Sequence, residues 1–205
     1  MEKRNTQDFV TIVDDAIPEP YLKDILNCVN VGLPWDYLMD TDYKEENPDI
    51  WNKMMSCSII LNGERFNDAK QFDFFYPVIY LLEKQFDKKF QYVYRMKINK
   101  TFTVPEDRDV IEWHTDVEVG GYKSIVLYLD DSDGDTFVSD LIFYRTPDNL
   151  KPPADQINYY EAVQIKKNRA VMFDSHRAHH AEYPRHHKCR TILNLVVTLQ
   201  ESVNV

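Results

Sequence analysis

FQYVYRMKI, residues 90–98, alternates large apolar and polar side chains with period two. That is the pattern of a half-buried strand, whose successive side chains point to opposite faces. Further runs of strand length follow it. VIEWHTD (110–116), KSIVLYLDD (123–131), DTFVSDLIFY (135–144), YEAVQIKK (160–167), AVMFDS (170–175) and RTILNLVVTL (190–199) are all of strand length. Turn chemistry such as Ser132-Asp133-Gly134-Asp135 and Lys167-Asn168 separates them, and no strong helix intervenes. About seven strands in roughly 110 residues predict a sandwich or jelly roll.

Upstream of Phe90 the elements are mixed. FVTIV (9–13) reads as a strand; in the DDAIPEPYLKDILNCVNVG that follows, Leu22, Ile25, Leu26 and Val29 fall at helical spacing before Gly32. MMSCSIIL (54–61) reads as a strand ended by Asn62-Gly63, and PVIYLLEKQF (77–86) carries an apolar stripe that only a helix places on one face. Two helices and a few strands are therefore predicted before Phe90. The chain reads as one domain over 1–205, with 1–89 as a helical and strand buttress and 90–199 as the jelly-roll core.

Composition fits that reading, since 205 residues at 43% apolar can fill one core. A formal charge of −10 repels a phosphate backbone, so no nucleic-acid partner is expected. Cys28, Cys57 and Cys189 are odd in number and never in a CxxC pair, which argues for a reducing, cytoplasmic setting. The first twenty residues lack a signal-peptide core and no apolar run reaches spanning length, so no membrane association is expected.

The chemistry lies in the histidines. His114 and Asp116 sit two apart, so at an extended strand end their side chains point to one side and can share an ion, if a second histidine arrives from elsewhere. The other five histidines, His176, His179, His180, His186 and His187, crowd into FDSHRAHHAEYPRHHKCR (173–190). A zinc site built from that cluster alone leaves His114 and Asp116 unexplained. His186 and His187 read as a solvated hairpin, and DDSDGD (130–135) as a hairpin turn, because its glycine is misplaced for a calcium loop. No GxSxG elbow or phosphate loop is present. Arg190 opens an apolar strand and needs a carboxylate, either a ligand's or an internal acid's. Arg95 and Asn99 are candidates for the pocket wall or substrate contact. The stretches 100–110 and 145–158 are long and read as lid loops.

WHTD, SIVLYLDDSDGDTF, NRAVMFDSHRAHHAEYP and CRTILNLVV, in that order, resemble the C-terminal half of iron(II)- and 2-oxoglutarate-dependent dioxygenases. The chain is most similar to the prolyl-4-hydroxylase-like branch with phage-encoded and marine bacterial members. The resemblance implies a double-stranded β-helix (jelly roll, cupin-like), mainly β with flanking helices. It implies His114, Asp116 and a distal histidine as ligands of Fe(II); six residues after Phe173 lies His179, and His180 is the alternative. It further implies that Arg190, supported by Tyr128, binds the far carboxylate of 2-oxoglutarate. His176 is a candidate to brace a metal ligand or to face substrate, or a plain loop histidine. The implied reaction consumes O2 and 2-oxoglutarate, with ascorbate as a possible reductant, and hydroxylates an unactivated C–H of a peptidyl proline or a small amino-acid-like molecule, releasing succinate and CO2. The alternative is a non-catalytic jelly-roll module that binds a metal or ligand.

Overall fold

The computed structural model describes residues 9–38, 54–66, 69–103, 112–118, 120–146, 149 and 151–200. The first part of the chain runs β1 (Val10–Val13), α1 (Glu19–Val31), β2 (Asp36–Leu38), β3 (Met54–Leu61), β4 (Glu64–Arg65), α2 (Ala69–Phe75) and α3 (Pro77–Phe86). The second runs β5 (Phe90–Phe102), β6 (Tyr122–Tyr128), β7 (Thr136–Ile142), β8 (Tyr160–Val163), β9 (Ala170–Asp174), β10 (Arg177–Ala181) and β11 (Cys189–Leu199). One 3-10 turn, Ala154–Gln156, precedes β8.

These strands form two antiparallel sheets. The larger has the order β1-β9-β6-β11-β5-β3-β2, with β4 on β3, and the smaller has the order β10-β7-β8. Consecutive strands cross between the sheets, as β6 to β7 and β10 to β11 do, so the sheets wind around each other as a double-stranded β-helix. From the first ninety residues, β1 pairs with β9 and β3 with β5, so they extend the larger sheet at both edges.

The helices cover the outer face of that sheet because their apolar stripes have nowhere else to go. In α1 the stripe is Leu22, Ile25 and Val29; Pro18 caps the start, and Gly32 closes the end with its N–H on the Cys28 carbonyl at 2.8 Å. In α3 it is Val78, Ile79, Leu82 and Phe86, with Pro77 at the start and Asp87 left-handed at the end. They pack with Met96, Ile98, Ile125, Leu127, Leu193, Leu195 and Val197 into the main core. A second, smaller core fills the space between the sheets with Val126, Tyr128, Val138, Val163, Val171, Phe173 and Ile192.

The structure corrects several expectations. α2 is a helix the periodicity does not announce, because seven residues are too few to display a 3.6 repeat. β10 was not among the strand-length runs because its histidines and arginine conceal a strand that is buried from Ala178 to Ala181. Within 112–118, VIEWHTD contributes only an isolated bridge at His114. DDSDGD is no hairpin, since it links β6 in one sheet to β7 in the other, and the His186-His187 turn likewise connects two sheets. That crossing explains its acidity: the carboxylates of Asp130, Asp131, Asp133 and Asp135 accept the backbone N–H of Thr191 (3.0 Å), Lys167 (2.9 Å), His186 (2.7 Å) and Ile165 (3.0 Å). Amides stranded where sheets part need acceptors, and aspartates provide them. Residues 100–102 belong to β5, not to a loop. Thr103 follows the strand, 104–110 of the first expected lid lie outside the described residues, and so do 147, 148 and 150 of the second.

Candidate metal centre

His114 and His179 face each other across a two-residue bridge in which each donates its backbone N–H to the other's carbonyl at 2.9 Å. This fastens the end of the chain before β6 to the free edge of β10. A directly opposed pair presents its side chains on one face, and the two imidazole rings lie 4.4 Å apart. Each ring gives its Nδ1–H to a carbonyl two residues back, His114 to Glu112 and His179 to Arg177, both at 2.9 Å. A carbonyl can only accept, so Nδ1 carries the proton and each Nε2 presents a lone pair. Burial, then the neighbouring ring, draws the His114 pKa down to about 3, and burial lowers that of His179. Both imidazoles are neutral at physiological pH, as ligands must be.

Asp116 completes the cluster. Its Oδ2 lies 3.5 Å from the His179 Nε2, and one donor atom from each of His114, Asp116 and His179 falls within 4.8 Å of the others. Burial opposes its ionisation, but the Arg95 guanidinium on its Oδ1 and the Ser124 hydroxyl on its Oδ2 hold the carboxyl well below the usual carboxylate range. The backbone is anchored too. Asp116 donates its N–H to the Ser175 carbonyl at 3.2 Å, and Arg145 clasps Thr115 through both its hydroxyl and its carbonyl.

His180, adjacent to His179, turns the other way, as strand alternation requires. Its ring stacks on Phe137 at 4.7 Å and meets Trp113 edge-on at 4.2 Å, and burial draws its pKa to about 4. His176 is buried against Tyr144 with its Nδ1 3.4 Å from Asp174, away from the cluster. His186 and His187 are exposed.

A cavity of about 120 Å³ between the sheets is lined by His114, Asp116 and His179 and also by Arg190, Thr136, Asn99, Lys97, Asn194, Val126 and Ile192. Arg190 is only 3% exposed, and burial lowers its pKa without removing the charge of a guanidinium. It donates to the Gly134 carbonyl at 2.9 Å and the Thr136 hydroxyl at 2.7 Å; the Tyr128 hydroxyl donates to that same Thr136 oxygen at 2.7 Å. Among the described residues no carboxylate lies within ion-pair distance of Arg190. Gly134 is required by this contact, because a Cβ there would sit 2.4 Å from the Glu182 carbonyl and 3.2 Å from the Arg190 Cδ. Burial pushes the Tyr128 phenol up, so it stays a neutral donor.

The sequence candidates thus separate. His114, Asp116, His179, Arg190 and Asn99 share the cavity, His180 also contributes to its lining though its ring packs on Phe137 and Trp113, and Tyr128 lies behind the wall. Arg95 holds Asp116 and, at 3.1 Å, Asn194. Asn99 is bonded to Ser56 at 3.0 Å. Lys97, Ser124, Thr136, Gly134 and Asn194 were missed. Lys97, Ser124 and Asn194 carried a signal, being polar residues on the inward phase of buried strands.

Neither a known family model nor a curated protein matches the sequence. Solved structures do match. An oxidoreductase of the 2OG-Fe(II) oxygenase family from Burkholderia pseudomallei aligns over 94% of this chain and 85% of its own, with a TM-score of 0.63 at 13% identity. The fold is that of these oxygenases. The epimerase SnoN from nogalamycin biosynthesis, solved in complex with Fe3+, alpha ketoglutarate and nogalamycin RO, aligns over 94% and 79% with a TM-score of 0.62 at 10% identity. A Pseudomonas putida prolyl-4-hydroxylase aligns over 95% and 94% with a TM-score of 0.53 at 13% identity. Among the described residues no helix is long and apolar enough to cross a membrane.

Proposed function

We propose that this protein is an Fe(II)- and 2-oxoglutarate-dependent oxygenase that hydroxylates an unactivated C–H of a peptide or small amino-acid-like substrate in a reducing, cytoplasmic setting. One observation carries the reading. A single cavity holds a His-Asp-His cluster at one end and, at the other, a buried arginine with no carboxylate within ion-pair distance among the described residues.

The residues fit the groups this activity needs. Two neutral imidazole nitrogens and one carboxylate are the donor set of a facial triad, which suits iron(II) and leaves coordination positions open. Arg190 offers a planar fork to a carboxylate, and burial makes that pairing strong because an uncompensated guanidinium is costly. Bound iron and 2-oxoglutarate would supply the O2 chemistry, with release of succinate and CO2, and ascorbate would keep the iron reduced.

The chain's own side chains bind and orient. His114, Asp116 and His179 would hold the metal, their orientation fixed by the Glu112 and Arg177 carbonyls, Arg95 and Ser124. Arg190, with Thr136 and Tyr128 behind it, would hold the distal carboxylate of 2-oxoglutarate. Val126 and Ile192 line the same space and limit water between the two ends. The test is succinate release by the purified protein with Fe(II), ascorbate and 2-oxoglutarate, and its loss in His114→Ala. Iron and 2-oxoglutarate binding with no turnover toward any peptide or amino acid would favour a non-catalytic binding module instead.

A further inference from the structure

The face of β5 that looks into the cavity carries Arg95, Lys97, Asn99 and Thr101, while Met96 and Ile98 face the helices. Arg95 is committed to Asp116 and Asn194, and Asn99 to Ser56. Lys97 is not committed. It lines the cavity beside His114, Asp116 and Asn194, and among the described residues it has neither a hydrogen-bond nor an ion-pair partner. Across β11, Lys97 is in register with Asn194, whereas Thr101 is in register with Arg190. The two cations therefore stand four residues apart along the strand, Lys97 near the metal ligands and Arg190 at the far end.

On the function proposed above, the charges in this space do not balance without a further ligand. An iron(II) ion and dianionic 2-oxoglutarate cancel, and Arg95 cancels Asp116. The positive charges of Lys97 and Arg190 are left over, inside a protein whose formal net charge is −10. Charge confined in a low-dielectric cavity is unfavourable until it is paired, so an anionic ligand gains what a neutral one forfeits. The acidic surface consequently says nothing of the substrate; the cavity is locally the opposite sign.

We propose that Lys97 makes this cavity selective for a substrate carrying a carboxylate or similar oxyanion close to the metal. This deepens the functional reading and rests on it. It favours a small free acid over a residue inside a peptide, whose backbone offers no anion.

The alternative source of a carboxylate is 2-oxoglutarate itself, and the experiment separates the two. Zn(II)-loaded protein saturated with 2-oxoglutarate is titrated with acetate, and with acetamide as its neutral isostere, while the Val126 and Ile192 methyl resonances are followed. Acetate should bind saturably in the millimolar range and acetamide should not. Lys97→Met should weaken acetate about tenfold or more, the worth of one charge-assisted hydrogen bond, and Lys97→Arg should restore most of it. The affinity of Lys97→Met for 2-oxoglutarate should stay within about threefold of wild type, since Arg190 is intact. Equal acetate binding by wild type and Lys97→Met, or none by wild type, overturns the proposal and leaves the oxygenase reading standing. A loss of 2-oxoglutarate affinity in Lys97→Met, as large as that for acetate, overturns it by assigning the ammonium to the co-substrate. Failure of wild type to bind 2-oxoglutarate at all removes the functional reading and this inference with it.

Discussion

The two faces of the larger sheet are built from the same strands to opposite ends. On the helix side, β5, β6 and β11 present Met96, Ile98, Ile125, Leu127, Leu193, Leu195 and Val197 to α1 and α3. On the other side the same strands present Arg95, Lys97, Asn99, Ser124, Arg190 and Asn194, interrupted by a short apolar patch at Val126, Tyr128 and Ile192. Burying the first set stabilises the fold. Burying the second costs desolvation that only ligands, or partners such as Asp116, offset. A strand alternates with period two, so one backbone can serve both purposes without compromise. Stability and function are thereby divided by face rather than by region, and substitutions on the two faces should fail in different assays.

The sharpest break is at adjacent residues. His179→Ala should weaken metal binding by more than about 100-fold, because it removes a ligand outright, while His180→Ala should change it by less than about threefold. Calorimetric titration with Mn(II) reads both, and equal losses would mean that strand alternation does not decide the ligand. On the helix face, Leu195→Ala should cost about 2–5 kcal/mol in denaturant unfolding through lost contacts and a cavity, yet leave the affinity for 2-oxoglutarate unchanged. On the cavity face, Arg190→Lys should weaken 2-oxoglutarate about 10- to 100-fold, since an ammonium cannot reproduce the guanidinium fork, with metal affinity and unfolding close to wild type. An unaltered constant would make Arg190 a structural residue and erase the division of the faces at that position.

The smallest effect expected is acid lability of the metal-free protein. His114 is held neutral to about pH 3 in the fold, and His180 to about pH 4, whereas in the unfolded chain each takes a proton below about 6.5. Their folded pKa values are depressed, so the stability they allow is present in full above about pH 6.5 and is lost as pH falls toward 4 and 3. Asp116, depressed below the carboxylate range, adds loss of the same sign at still lower pH. The melting temperature should drop by a few degrees between pH 7 and 5, and His180→Phe should remove part of that slope. A flat profile would show that neither imidazole is buried as described.

What the sequence determined by itself was local. Period-two alternation marked β5, strand-length runs between turns marked β6, β7, β8, β9 and β11, the helical stripe marked α1 and α3, and a two-residue spacing put His114 and Asp116 on one side of the chain. Such patterns follow from the geometry of one segment and need no partner. Other features belonged to the tertiary structure. The family register favours His179 over His180, but alternation states only that neighbours oppose each other, and it is the bridge to His114 that sets His179 beside Asp116. Pairing Arg95 with Asp116 required β5 to lie against the loop that carries it, twenty-one residues away. Recognising DDSDGD as a crossing held by four carboxylates, and Lys97 as an ammonium with no hydrogen-bond or ion-pair partner among the described residues, required both sheets in place at once. A side chain's chemistry is written in its own segment, but what it pairs with is set by strands distant in sequence, and only folding brings them within reach.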